Sequence, residues 1–172
     1  MKKITLFSLS AFMLFSCQNN TSNLVPLEQN NLQQTEIQAN KDKNKYGTAK
    51  RDLLFAQSTA KRWDISAELV KVEADFVYEN GYANWVYYFK SPFKNKAYRV
   101  DNFNGEEVPN SFFGIQFNDF QIRIDSDKAI EKAKAKGLKR FPVNRITLER
   151  KFSSLEWEIW SSEGTFRISA EN

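Results

Sequence analysis

From Thr48 to Trp63 the apolar residues Ala49, Leu53, Ala56, Ala60 and Trp63 fall at alternating steps of four and three. That spacing holds them on one stripe of a 3.6-residue period and predicts an amphipathic helix with Thr48 as its N-cap. The period then shortens. Glu68 to Tyr78, Ala83 to Phe89 and Lys96 to Val100 are short runs rich in branched and aromatic residues, and predict strands. Asn80-Gly81 and Asn104-Gly105 read as turn dipeptides between them. Phe117, Phe120, Ile122 and Ile124 predict a further strand, with Gln121 and Arg123 toward water. A second helix opens at Asp125-Ser126-Asp127, carries Ala129, Ile130, Ala133 and Leu138 inward, and closes at Gly137. Val143 to Arg150, Leu155 to Ser161 and Thr165 to Ala170 complete the series. Along the middle run Leu155, Trp157 and Ile159 face one way, and Glu156, Glu158 and Trp160 the other.

The start of the chain follows another logic. Lys2 and Lys3 precede an apolar stretch from Ile4 to Phe15. It is roughly a dozen residues long, short of the ~20 that a spanning helix needs, so residues 1–16 read as a signal peptide. The stretch ends in Leu14-Phe15-Ser16-Cys17, with polar Gln18-Asn19-Asn20 immediately after. This resembles the lipobox of bacterial lipoproteins, in which the cysteine receives a diacylglyceryl group before cleavage just ahead of it. Leu14 and Ser16 fit that pattern, and Phe15 is a less usual occupant of its place. The resemblance implies export, lipidation of Cys17, and a membrane-anchored protein on the periplasmic or extracellular face of the cell envelope.

Cys17 is the one cysteine in the sequence, so no internal disulfide can staple the exported part. Residues 17–47 are dominated by Asn, Gln, Thr and Ser, too polar to offset their ordering entropy, and read as a flexible tether. At about 30 residues its coil span is roughly 30 Å. From Thr48 onward roughly 125 residues remain, the size of one ordinary domain. The formal charge of +4 falls to about +2 once Lys2 and Lys3 leave with the leader, and the remaining basic residues are scattered. Nucleic acid is thereby excluded as a partner. The lysines from Lys128 to Lys139 and Arg140 surround the apolar stripe of the second helix and read as its solvated face.

The order helix, strand, strand, strand occurs twice. Trp85-Val86-Tyr87-Tyr88 corresponds to Trp157-Glu158-Ile159-Trp160, and Ala97-Tyr98-Arg99-Val100 to Thr165-Phe166-Arg167-Ile168. Both helices carry paired alanines on one stripe, Ala56 with Ala60 and Ala129 with Ala133. In these residues the chain resembles a tandem of PepSY-like repeats, small units of cystatin-like shape found in exported bacterial proteins. The resemblance implies an α+β fold of two helix-plus-antiparallel-sheet repeats, over residues 48–108 and 122–172, joined by a connector strand at 109–121. It also implies a non-enzymatic role: modulating peptidases or binding other envelope proteins. The family carries no catalytic residues, so none transfers.

The residues themselves offer little chemistry. There is no histidine, which removes the commonest general base and metal ligand, and with Cys17 assigned to lipid no thiol remains. Asp101, Glu106 and Glu107 flank Asn104-Gly105, but Phe103 stands where a calcium loop needs its third ligand. Glu156 and Glu158 share a strand face about 7 Å apart, without the opposed geometry of a glycosidase pair. The expectation is no enzyme, no cofactor and no metal. Tyr88 and Trp160 occupy equivalent places on the face opposite Trp85 and Trp157. As half-exposed aromatics they are the candidate binding residues, for an envelope protein or, alternatively, for cell-wall glycan. Phe112-Phe113 is expected to pack between the halves.

Overall fold

The computed structural model describes residues 47–101, 104–110 and 114–172, all within one compact unit that spans Ile37–Asn172. Cys17, the leader and nearly all of the tether, like Phe112-Phe113, lie outside the described residues. Helix α1 (Ala49–Trp63) leads into strand β1 (Glu68–Val77), followed by β2 (Val86–Lys90), β3 (Lys96–Asp101) and β4 (Asn104–Pro109). A single 3-10 turn, Asp119–Gln121, precedes helix α2 (Ser126–Ala135), and β5 (Val143–Lys151), β6 (Ser154–Ser161) and β7 (Gly164–Ser169) follow. All seven strands form one antiparallel sheet in the order β4-β3-β2-β1-β5-β6-β7.

This overturns the expectation of two helix-plus-sheet repeats. β1 and β5 pair directly, from Lys71↔Glu149 to Val77↔Val143, so the two runs of strands fuse into one sheet. The physical reason lies in a row of side chains that crosses the seam. Val100, Tyr87, Val72, Leu148, Trp157 and Ile168 stand opposite one another on six successive strands. All of them are buried, and they belong to one core that also takes Leu53, Ala56 and Ala60 from α1 and Ala129, Ile130 and Ala133 from α2. At its centre Trp85 and Trp157 meet edge to face, 5.9 Å between centroids at 63°. Splitting the sheet at the seam would expose that row to water.

The helices cover one face and start beside each other. Thr48 makes no side-chain cap. The first N–H groups of α1 are taken instead by the other helix: Ala49 N–H donates to Ser126 Oγ at 3.1 Å and Lys50 N–H to Asp125 Oδ1 at 3.1 Å. Ser126 Oγ in turn donates to the Gly81 carbonyl at 2.9 Å, within the β1–β2 loop. Gly81 sits at φ +74°, and a Cβ there would lie 2.4 Å from the backbone of Asp127, so only glycine fits.

Two further expectations are corrected. Asn104-Gly105 is no turn but the start of β4, an edge strand that ends in Pro109, as an edge strand tolerates. The strand expected through Phe117 to Ile124 does not form. Ile115 and Phe117 make single bridges, to Arg150 and to Leu69, filling the gap where β1 and β5 part below the Lys71↔Glu149 pair. Then Asn118 N–H donates to Gln121 Oε1 and the chain turns, leaving Phe120 exposed and Ile122 in the core.

Candidate functional site

The face of the sheet away from the helices carries the residues that alternation turns outward. They form a lattice of ion pairs within and across strands. Lys71 reaches Glu73 at 2.9 Å and Glu149 at 3.3 Å, Arg145 reaches Asp75 at 2.9 Å, and Arg99 reaches Glu106 at 3.0 Å. Glu158 is held by Lys151 at 2.6 Å and Arg167 at 3.1 Å. Tyr88 lies on this face, as expected, but it is only 8% exposed. Register places it between Lys71 and Arg99, whose long side chains cover its ring, and its hydroxyl donates to Glu73 Oε1 at 2.8 Å. Burial and the neighbouring Glu73 carboxylate push its pKa up to about 12. Tyr88 is therefore a structural member of the lattice, with little ring left to offer a ligand. Trp160, opposite Arg145, is half-buried at the far end of the same face.

Glu73 shows how the lattice is stabilised. Burial works against its charge, but hydrogen bonds from Lys71 and Tyr88 and the nearby Arg145 outweigh it and hold the carboxyl below the usual range. A depressed carboxylate contributes stability that is complete above its unfolded pKa and is lost as pH falls through the folded one. The stability gap between the parent and Glu73→Gln is therefore expected to be largest near neutral pH and to close in acid. Thermal unfolding of both proteins from neutral to acid pH checks this.

Much of the exposed apolar surface lies at the ends of the strands, with Leu54 on α1 and Phe120 in the 3-10 turn exposed apart from it. At the end holding the α1–β1, β2–β3 and β5–β6 turns, Ile65, Phe93 and Phe152 are 81%, 83% and 94% exposed. Ile115 stands between them, half-exposed. Phe93 and Phe152 sit on hairpins three strand spacings apart, roughly 15 Å. These side chains thus make a row of apolar tips along one rim.

Two of the rim's turns are tied together. Asp64 accepts from Ser66 N–H and Ser66 Oγ on one oxygen and from Ser91 Oγ on the other, tying the turn of Ile65 to that of Phe93. Those bonds, led by the one from the Ser66 hydroxyl, lower the Asp64 pKa. Ser91 Oγ also takes the Phe93 N–H at 3.0 Å. Behind them Lys94 lies over the Trp63 ring at 4.6 Å, and Trp63 stacks on Tyr98 at 4.9 Å and 11°.

Phe152 is the odd member. It holds φ +56°, a left-handed conformation that costs a non-glycine residue about 1–2 kcal/mol, and its ring meets water. Phe152→Gly is expected to raise stability by about 1 kcal/mol, net of the glycine's extra chain entropy. A urea midpoint for the two proteins checks this. Phe76, at φ +54° and 68% exposed, shares this combination of a left-handed backbone and an aromatic ring turned to water.

The opposite end of the sheet holds a cleft of about 570 Å³ lined by Tyr78, Glu79, Asn80, Phe141 and Pro142. Among the described residues no group of acids could hold a metal ion, and no helix is long and apolar enough to cross a membrane. The rim and the cleft escaped the sequence reading. The signal for the rim was present in Asp64-Ile65-Ser66 and Ser91-Pro92-Phe93-Lys94, where one apolar residue stands among turn formers.

No protein-family model, curated protein or solved structure matches the chain.

Proposed function

We propose that the chain is a non-enzymatic lipoprotein, held to an envelope membrane through Cys17, that binds or regulates another envelope protein, with peptidases the class its resemblance suggests. One observation carries the reading: the row of apolar tips that ends in the strained, fully presented ring of Phe152. The place where the chain enters the fold supports it. Gly47 bridges to Ala83, ahead of β2, while Phe93 follows the other end of that strand. The rim thus lies at the end of the sheet opposite Gly47. Aromatic anchors on rigid turns are the kind of side chain that dominates binding energy at protein interfaces.

The test is crosslinking and affinity capture from intact envelopes, with the parent and the Phe93→Ser/Phe152→Ser variant as baits. Both rings are exposed, so the substitutions leave the core alone. A protein captured stoichiometrically by the parent should fall at least about tenfold in the variant, the effect of roughly 1.4 kcal/mol. Equal capture by both baits would defeat the reading.

A further inference from the structure

We propose that the cleft at the Gly47 end of the sheet is a carbohydrate site that takes a neutral pyranose ring against Tyr78 and Phe141. The proposal is independent of the rim and of any protein partner.

The cleft has two walls, and both are fixed by the fold. One wall is the turn Tyr78 to Tyr82, closed by Tyr78 N–H to the Tyr82 carbonyl at 3.0 Å and Gly81 N–H to the Tyr78 carbonyl at 2.9 Å. That turn is pinned from behind, since Ser126 holds the Gly81 carbonyl and the Asp127 backbone leaves no room beside Gly81. The other wall is Phe141-Pro142, which leads straight into Val143, the register partner of Val77. Lys134 of α2 bridges the walls, pairing with Glu79 while its ammonium stands 5.9 Å from the Phe141 ring centroid. A site prepared in this way costs a ligand little ordering of the protein.

The lining has the two features a sugar needs. Tyr78, half-exposed, and Phe141, packed on the core by one side and lining the cleft, supply aromatic surface for the C–H face of a pyranose ring. Beside them stand hydroxyl-binding groups. Asn80 uses its side-chain oxygen to take the Tyr82 N–H at 3.1 Å, which orients its amide and keeps the NH₂ as a donor. Glu79 gives one carboxylate oxygen to Lys134 and keeps the other as an acceptor. An apolar drug-like or lipid ligand would leave this amide and carboxylate unsatisfied. A charged ligand of either sign is disfavoured, because Glu79 and Lys134 already neutralise each other. At about 570 Å³ the cleft is within the roughly 300–1,000 Å³ range of small-ligand sites.

The experiment titrates the full chain with N-acetylglucosamine oligomers and, separately, with maltotriose, by calorimetry and by NMR shifts. Three variants run alongside: Phe141→Ala, Phe141→Leu and Asn80→Ala. The expected result is saturable binding of at least one of these sugars. Affinity should fall about tenfold or more in Phe141→Leu, which keeps the apolar bulk and loses the ring, and several-fold in Asn80→Ala. Circular dichroism and melting of Phe141→Leu, matched to the parent, secure the comparison even if Phe141→Ala does not fold. No saturation by either sugar series in the parent overturns the proposal. So does binding that all three folded variants retain, which would place the sugar elsewhere. Saturation by indole or another apolar aromatic, with no sugar binding, would overturn the carbohydrate assignment.

Discussion

Replacing Trp157 with alanine is expected to lower the unfolding free energy by about 3–5 kcal/mol. The side chain is fully buried, meets Trp85 edge to face, and donates its indole N–H to the Ile124 carbonyl at 2.8 Å. Its loss opens a cavity between the sheet and the connector and leaves that carbonyl without its donor. Single domains are stable by only about 5–15 kcal/mol, so the variant stands close to unfolding at ambient temperature. Urea denaturation followed by tryptophan fluorescence measures the shift. A midpoint within about 0.5 kcal/mol of the parent's would mean that Trp157 does not centre the core.

The second large effect is expected at Ser126, where one hydroxyl joins three elements. It accepts from Ala49 at the start of α1, donates to Gly81 in the β1–β2 loop, and stands in the first turn of α2, wholly buried. Ser126→Ala orphans a buried N–H and a buried carbonyl at once. Each such group costs about 1–3 kcal/mol, so a loss of about 2–4 kcal/mol follows. Hydrogen exchange gives a sharper readout than the midpoint alone. Protection of the first-turn amides of α1 should fall more than that of the β5–β6 ladder. Lys128→Ala, on the exposed side of the same helix, should stay within about 0.5 kcal/mol of the parent.

The sequence was informative where periodicity alone decides the outcome. The stripe Ala49, Leu53, Ala56, Ala60 and the alternation of Leu155, Trp157 and Ile159 are local patterns, and the structure buries those residues. What alternation cannot reveal is the neighbour. It assigns Val72 and Leu148 each to a buried face, but their mutual pairing is a long-range choice set by the whole apolar row, so two repeats and one sheet read alike. Tyr88 is more sheltered than alternation implies for a related reason: its cover comes from Lys71 and Arg99 on adjacent strands, whose stems no single-strand pattern counts as shelter. β4 was missed because Asn-Gly-Glu-Glu-Val-Pro has poor strand propensity, and as an edge strand it needs only one partner. Phe152 broke the turn chemistry itself, occupying a conformation that normally selects glycine.

The entry of the chain at Gly47 and the placement of the rim at the other end of the strands have a mechanical consequence. A pull between Gly47 and Phe93 runs from one end of β2 to the other, at right angles to the hydrogen bonds that join β2 to its neighbours. Loaded this way, the bonds of a ladder are sheared together and share the force, whereas a pull across the sheet would part them one pair at a time. Tension between these two ends therefore loads the ladders of β2 in shear.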